Sequence, residues 1–161
     1  MNIQNISKKC DAVFITHYHG DHIGEYMQVN KDVPIYIGKQ AKEIFTIFQN
    51  KMKDTGVTDI TQEHIDKIDT FKIFKQGIPL KIGDMKITPI RTDHSAFDSY
   101  MFLIEASGKR ILHTGDFRLH GPMGKGTPKT LKRIGKVYVI ICEHTTLSRQ
   151  DENFMSEFML Q

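Results

Sequence analysis

Thr16-His17-Tyr18-His19-Gly20-Asp21-His22 follows directly on the apolar run Ala12-Val13-Phe14-Ile15, and it sets three imidazoles and a carboxylate in one short loop. If the apolar run is a buried strand, residues two apart leave the chain on the same side, so His17 and His19 can face one ion. Gly20 permits a sharp turn, which would carry Asp21 and His22 back toward the first pair as ligands for a neighbouring ion. Imidazole with carboxylate suits zinc, and manganese or iron as well, so the spacing specifies a site more tightly than it specifies a metal. The plain alternative is a histidine-rich surface tract. Such tracts lack a preceding buried strand and a fixed Asp.

The rest of the chain reads as an alternation of short strands and helices. Residues 34–38 form a compact strand bounded by Pro34 and Gly38. Ala41, Ile44, Phe45, Phe48 and Met52 recur at steps of three and four, with Lys42, Glu43, Gln49 and Lys53 opposite. That predicts an amphipathic helix whose aromatic stripe packs on a sheet. A polar connection follows over about residues 54–69, with a helical turn near 62–68 and with His64 as a solvated loop histidine. Short alternating runs occupy 71–74, 79–82 and 85–90, the last placing Met85, Ile87 and Pro89 on one face. The runs 101–106 and 109–113, joined by Ser107-Gly108, predict a hairpin. Residues 137–142 are continuously apolar, as for a central strand buried on both faces. Residues 150–161 carry Phe and Met at helical spacing behind Asp151-Glu152.

A chain of 161 residues with 39% hydrophobic content supports one domain around one core. The formal net charge of +3 permits a polyanionic substrate without demanding one. Cys10 and Cys142 lie far apart, each beside an apolar run; they form no zinc-type pair and read as reduced structural thiols. The amino-terminal residues show no apolar stretch with a cleavage site, and no run reaches the length of a membrane span. A cytoplasmic protein is expected.

His17-Tyr18-His19-Gly20-Asp21-His22 resembles the H-x-H-x-D-H motif of the metallo-β-lactamase superfamily. Thr92-Asp93-His94-Ser95 resembles the third motif of that superfamily, a single His at a strand end. His113-Thr114-Gly115-Asp116-Phe117-Arg118 resembles the fourth, whose Asp bridges two ions. T-G-D-F followed by a basic residue, with D-H-S upstream, is most similar to the β-CASP branch, and within it to the ribonuclease J-like proteins. Glu143, at the end of the 137–142 run, is similar to the acidic residue that begins that branch's own motif set. The resemblance runs from about Asp11 to about Thr146.

The resemblance implies an α/β fold of the αββα sandwich type, here a single partial domain over residues 1–161. It corresponds to the N-terminal portion of the fold, without the β-CASP insertion and final strands and with the partner sheet largely absent. His17, His19 and His94 are the implied ligands of a first ion; Asp21, His22 and Asp116 are those of a second, with two Zn2+ or Mn2+ ions in the complete site. The last His of the second ion is missing, which makes that ion the weaker one; His144 or His120 are candidates to replace it. His113 fits packing behind the ligands better than direct ligation. The implied activity is hydrolysis of phosphodiester bonds of RNA by a metal-bound hydroxide, with Asp21 and Asp116 in catalytic roles. Ser95, Tyr100 and Arg118 are candidate phosphate contacts. The basic residues Arg118, His120, Lys125, Lys129, Lys132 and Arg133 fit either a nucleic-acid backbone or an ordinary solvated loop. Two other readings stand beside this one. One is an ester or thioester hydrolase of the glyoxalase type; the other is an inactive fragment that binds metal and associates with a second copy or a missing half through an open sheet.

Overall fold

A computed structural model describes residues 10–56 and 58–143 of the chain. His144 and the helix expected over 150–161 lie outside the described residues. Three short strands, β1 (Val13–Phe14), β2 (Ile35–Ile37) and β3 (Lys72–Ile73), form a parallel sheet in that order. Parallel neighbours require crossovers. The first runs through the short helix α1 (Gly20–Ile23) and a 3-10 turn at Gly24–Gln28; the second runs through α2 (Lys39–Thr55) and α3 (Gln62–Asp69).

A second sheet has the order β4 (Leu80–Ile82), β5 (Met85–Arg91), β6 (Tyr100–Ala106), β7 (Lys109–His113) and β8 (Val139–Ile141). Its pairing is antiparallel as far as β7, and β8 joins β7 in parallel after the helix α4 (Thr127–Ile134). The expected hairpin is β6–β7. Ser107 and Gly108 both have positive φ, at 48° and 72°, which matches the twist of a two-residue type I′ loop.

Strand alternation divides the core into layers. On β6, Tyr100, Phe102 and Ile104 face Phe14, Tyr36 and Phe74 between the sheets, while Met101 and Leu103 face Leu112 and Ile134 under α4. On β2, Tyr36 points into the space between the sheets, whereas Ile35 and Ile37 join Ala41, Phe45 and Ile68 under the helices of the first sheet. The layers therefore run helix, sheet, sheet, helix. The αββα sandwich is present. The partner sheet, expected to be largely absent, is present as three short strands.

Four expectations need correction. Phe48 was placed in the apolar stripe of α2, but it is 59% exposed. A 17-residue helix is about 25 Å long, whereas the two- and three-residue strands beneath it cover roughly 10 Å, so the C-terminal half of α2 overhangs the sheet. His64 is not a loop histidine: it lies in the first turn of α3 and accepts the Thr61 N–H at Nδ1 (3.2 Å) in a capping box. β8 is exposed at each of its residues and forms the edge of its sheet among the described residues. An apolar run reports strand propensity but not strand position. Cys142, just after β8, is likewise exposed and free rather than packed in the core.

One polar residue fastens the two halves together. Asp98, fully buried at the side chain and in the left-handed region (φ 66°), accepts the Ala41 N–H in the first turn of α2 at 3.0 Å. It also accepts the Tyr100 hydroxyl at 2.7 Å, with Arg91 Nη1 3.9 Å away. It thus caps α2 from a distant loop, and removing it would orphan a helix N–H and a buried hydroxyl. We expect Asp98→Ala to lower unfolding free energy by ~2–3 kcal/mol in urea denaturation. An unchanged midpoint would show that α2 is anchored elsewhere.

Candidate metal centre

The six expected ligands leave the sheets at one edge of the sandwich. β1 runs out into Thr16-His17-Tyr18-His19, α1 carries Asp21 and His22, β5 ends three residues before His94, and β7 ends three residues before Asp116. Backbone bonds hold these strand ends together: Tyr100 N–H donates to the Thr16 carbonyl at 3.0 Å, joining the sheets, and Thr114 N–H donates to the Ile141 carbonyl at 2.9 Å. Gly115 sits at the tightest point, with φ 55°. A Cβ there would lie 3.0 Å from the Thr16 side chain and 3.1 Å from the Tyr100 carbonyl, so Asp116 reaches the centre only because Gly precedes it. Gly20 plays a different part from the one expected. It opens α1 in helical conformation, and the helix itself swings Asp21 and His22 round.

The side chains form two overlapping clusters. His17, His19 and His94 place one ligand atom each within 4.8 Å of the others, and so do His17, His22 and Asp116. His94 Nε2 lies 3.2 Å from His19 Nδ1. Asp116 faces both clusters, with Oδ1 3.3 Å from His22 Nε2 and Oδ2 3.9 Å from His94 Nε2. Asp21 is in neither cluster; it is 79% exposed at the rim, with Oδ2 3.5 Å from His22 Nε2. His120 is exposed and outside both clusters.

His17 is the innermost member, with 0% exposure. Its Nδ1 lies 3.0 Å from Thr16 Oγ1, and its Nε2 is buried without a hydrogen-bond partner. A buried ring nitrogen with no partner is costly in a folded protein unless something else takes it up, and a cation among three imidazoles and a carboxylate does so. The donor set therefore fits a metal ion. Burial, reinforced by His22, His94 and His19, pushes the His17 imidazole down to about 3. Burial and the neighbouring His19 push His94 down too, against the pull of Asp116. These rings are neutral at physiological pH, the state in which imidazole ligates. Burial and His22 also lower His113, whose Nδ1 accepts the Gly115 N–H at 3.2 Å and so braces the turn.

The expected phosphate contacts fall in three different places. Ser95 is exposed beside His94. Tyr100 is buried with its hydroxyl on Asp98, so it supports α2 and does not face a substrate. Arg118 Nε donates to Asp93 Oδ1 at 2.8 Å. Asp93, which the sequence shows only as part of the third motif, is buried and also accepts the Met123 N–H through Oδ2 at 2.6 Å. It clamps the loop after Asp116 against the His94 loop. The only signal in the sequence was its place next to His94. Lys125, Lys129, Lys132 and Arg133 are exposed on and before α4.

A family model described as the beta-lactamase superfamily domain matches residues 3–158. Among curated proteins, the chain is similar to ribonuclease J of Helicobacter pylori (strain ATCC 700392 / 26695), at 28% identity over 134 residues, covering 82% of this chain and 18% of that protein. It is also similar to ribonuclease J of Mycoplasma genitalium, at 32% identity over 119 residues, covering 72% of the chain and 19% of the relative. The chain thus spans about a fifth of the length of these relatives. A solved structure of a protein of unknown function from Enterococcus faecalis V583 superposes with a TM-score of 0.71 at 25% identity, covering 89% of this chain and 33% of that one. With the sandwich, the clustered ligands and a family model that takes in nearly the whole sequence, the chain belongs to the metallo-β-lactamase superfamily.

Proposed function

We propose that this chain carries the metal centre of a nuclease that hydrolyses phosphodiester bonds of RNA. The observation that carries the reading is the buried, unpartnered Nε2 of His17 set among His19, His22, His94 and Asp116. The similarity to proteins named ribonuclease J supports the choice of substrate.

His17, His19 and His94 would hold one ion, and His22 and Asp116, with Asp21 at the rim, would hold a second. Divalent ions bound there supply positive charge for a phosphoryl oxygen and lower the pKa of water, and zinc or manganese suits the donors. The remaining work falls to the side chains. Asp116 orients the two clusters toward one another. Asp21, exposed at the rim, can take a proton at Oδ2 from an attacking water. Arg118, held by Asp93, keeps a cation beside His94, where a phosphate would sit.

His17 imposes an asymmetry. With Nδ1 engaged by Thr16, the ring has one nitrogen to give, and both clusters draw on it. The three-imidazole cluster keeps its full set with that nitrogen; among the described residues the other is left with two donors and the rim carboxylate. Calorimetric titration of the metal-free chain with Zn2+ or Mn2+ should therefore give one tight and one weak site per chain. His17→Ala should weaken the tight site by roughly 100-fold or more, and His22→Ala should affect chiefly the weak one. Two equal sites would contradict this assignment.

The same ring sets a pH dependence. His17 has a folded pKa of about 3 against an ordinary 6.5, so below pH 6.5 the unfolded chain takes up a proton that the folded chain refuses. Its contribution to stability is complete above pH 6.5 and is lost as pH falls toward 3. Thermal unfolding of chelator-treated protein between pH 8 and 4 should show a falling midpoint, with a shallower fall in His17→Asn. Parallel curves for the two proteins would exclude His17 as the source.

With metal supplied, the chain is expected to cleave a single-stranded oligoribonucleotide, and Asp116→Asn should reduce the rate on the order of 100-fold. Hydrolysis of a thioester without any cleavage of nucleic acid would overturn the nuclease reading.

A further inference from the structure

Phe97 lies in the loop that carries His94 and is 56% exposed. Three features show that the ring is held in place. Its backbone N–H donates to the Tyr18 hydroxyl at 3.2 Å, which ties it to the His17–His22 loop. Its neighbours Ala96 and Asp98 are buried and fix the chain on both sides. The Arg91 guanidinium stands 4.7 Å from the ring centroid and covers one face. A ring that is more than half exposed cannot be covered on the other face as well.

The surroundings favour a flat ligand with polar groups at its edge. Phe97 borders a groove of about 190 Å³ shared with His94, Arg91, Arg118 and Met123. Two carboxylates, Asp93 and Asp98, also line it. Each is already engaged, Asp93 by Arg118 Nε and the Met123 N–H, and Asp98 by the Tyr100 hydroxyl and the Ala41 N–H. What the groove presents outward is therefore an aromatic face with two arginines beside it, each backed by a buried carboxylate, Arg118 by Asp93 at 2.8 Å and Arg91 by Asp98 at 3.9 Å. That combination binds single-stranded nucleic acid: the ring stacks a base and the cations track the backbone.

We infer that Phe97 is a stacking platform for a nucleobase next to the bond that is cut, with Arg91 behind the ring and Arg118 on the phosphate side. This inference rests on the nuclease reading and adds to it a binding residue that selects unpaired substrate, since a base must leave its helix to stack there. Phe97 then contributes affinity and not chemistry.

The test is binding of a fluorescein-labelled single-stranded oligoribonucleotide, followed by anisotropy with metal chelated so that nothing is cleaved. Phe97→Ala should weaken binding by roughly 5- to 100-fold, and Phe97→Tyr should stay within about twofold of the parent. Phe97→Leu, which keeps apolar bulk without a π face, should resemble the alanine variant. An otherwise identical probe with a run of abasic positions should erase the difference between parent and Phe97→Ala. Unchanged Zn2+ titration in the variants establishes that the centre is intact. If the parent binds and Phe97→Ala binds equally well, the platform is refuted while the nuclease reading stands. If the parent binds no oligoribonucleotide, with or without metal, both fall.

Discussion

Four imidazoles and a carboxylate held within a few ångströms of one another are tolerable only if most of the rings stay neutral. Protonation of any two would set like charges side by side in a partly desolvated site. His17 meets this constraint through complete burial, and its depressed pKa is the electrostatic record of it. Much of the architecture serves to keep that arrangement from relaxing. The Tyr100–Thr16 backbone bond locks the first sheet to the second directly behind the rings, and Gly115 lets the Asp116 loop close to within contact distance of Thr16.

The loop that brings in His94 is secured by two buried carboxylates, one on each side. Asp93 fastens it to residues 118–123, and Asp98 fastens it to the first turn of α2. Neither belongs to the ligand clusters among the described residues. Each instead converts a side chain into a tertiary restraint, with hydrogen bonds to backbone N–H groups that would otherwise lack partners. His94 therefore arrives 3.2 Å from His19 with little freedom. Preorganisation of this kind lowers the entropic cost of binding a ligand at the site.

Much of this was legible in the sequence because it is local. The spacing of His17, His19 and Asp21 reports a loop at a strand end, the alternation on β5 to β7 reports a sheet, and Ser107-Gly108 reports its turn. What escaped depends on contacts distant in sequence. Asp98 caps a helix 57 residues away, and Asp93 meets Met123 across 30, so neither pairing leaves a local trace. Tyr100 looked available for substrate because hydroxyls near ligand motifs often are; only the fold shows that Asp98 takes it up. The continuous apolar run at β8 was misplaced for a related reason. Hydrophobicity indicates what a strand prefers, whereas its neighbours are set by topology, and among the described residues β8 has only β7. Phe48 failed through length: a helix can be amphipathic along more of its axis than the sheet beneath can cover.

The two clusters share His17 but differ in their surroundings. His19 and His94 are half-buried, and His94 borders the groove of about 190 Å³, while the cluster containing His22 and Asp116 opens past Asp21 and toward a cavity of about 240 Å³ lined in part by His113, Cys142 and Glu143. A closed donor set holds charge firmly, whereas an open one leaves room for oxygen atoms from outside the protein. Because His17 has one nitrogen to share, the described residues leave one of the two sets open. The Thr16–His17 contact, by engaging Nδ1, thus leaves the two clusters a single nitrogen of the ring they share.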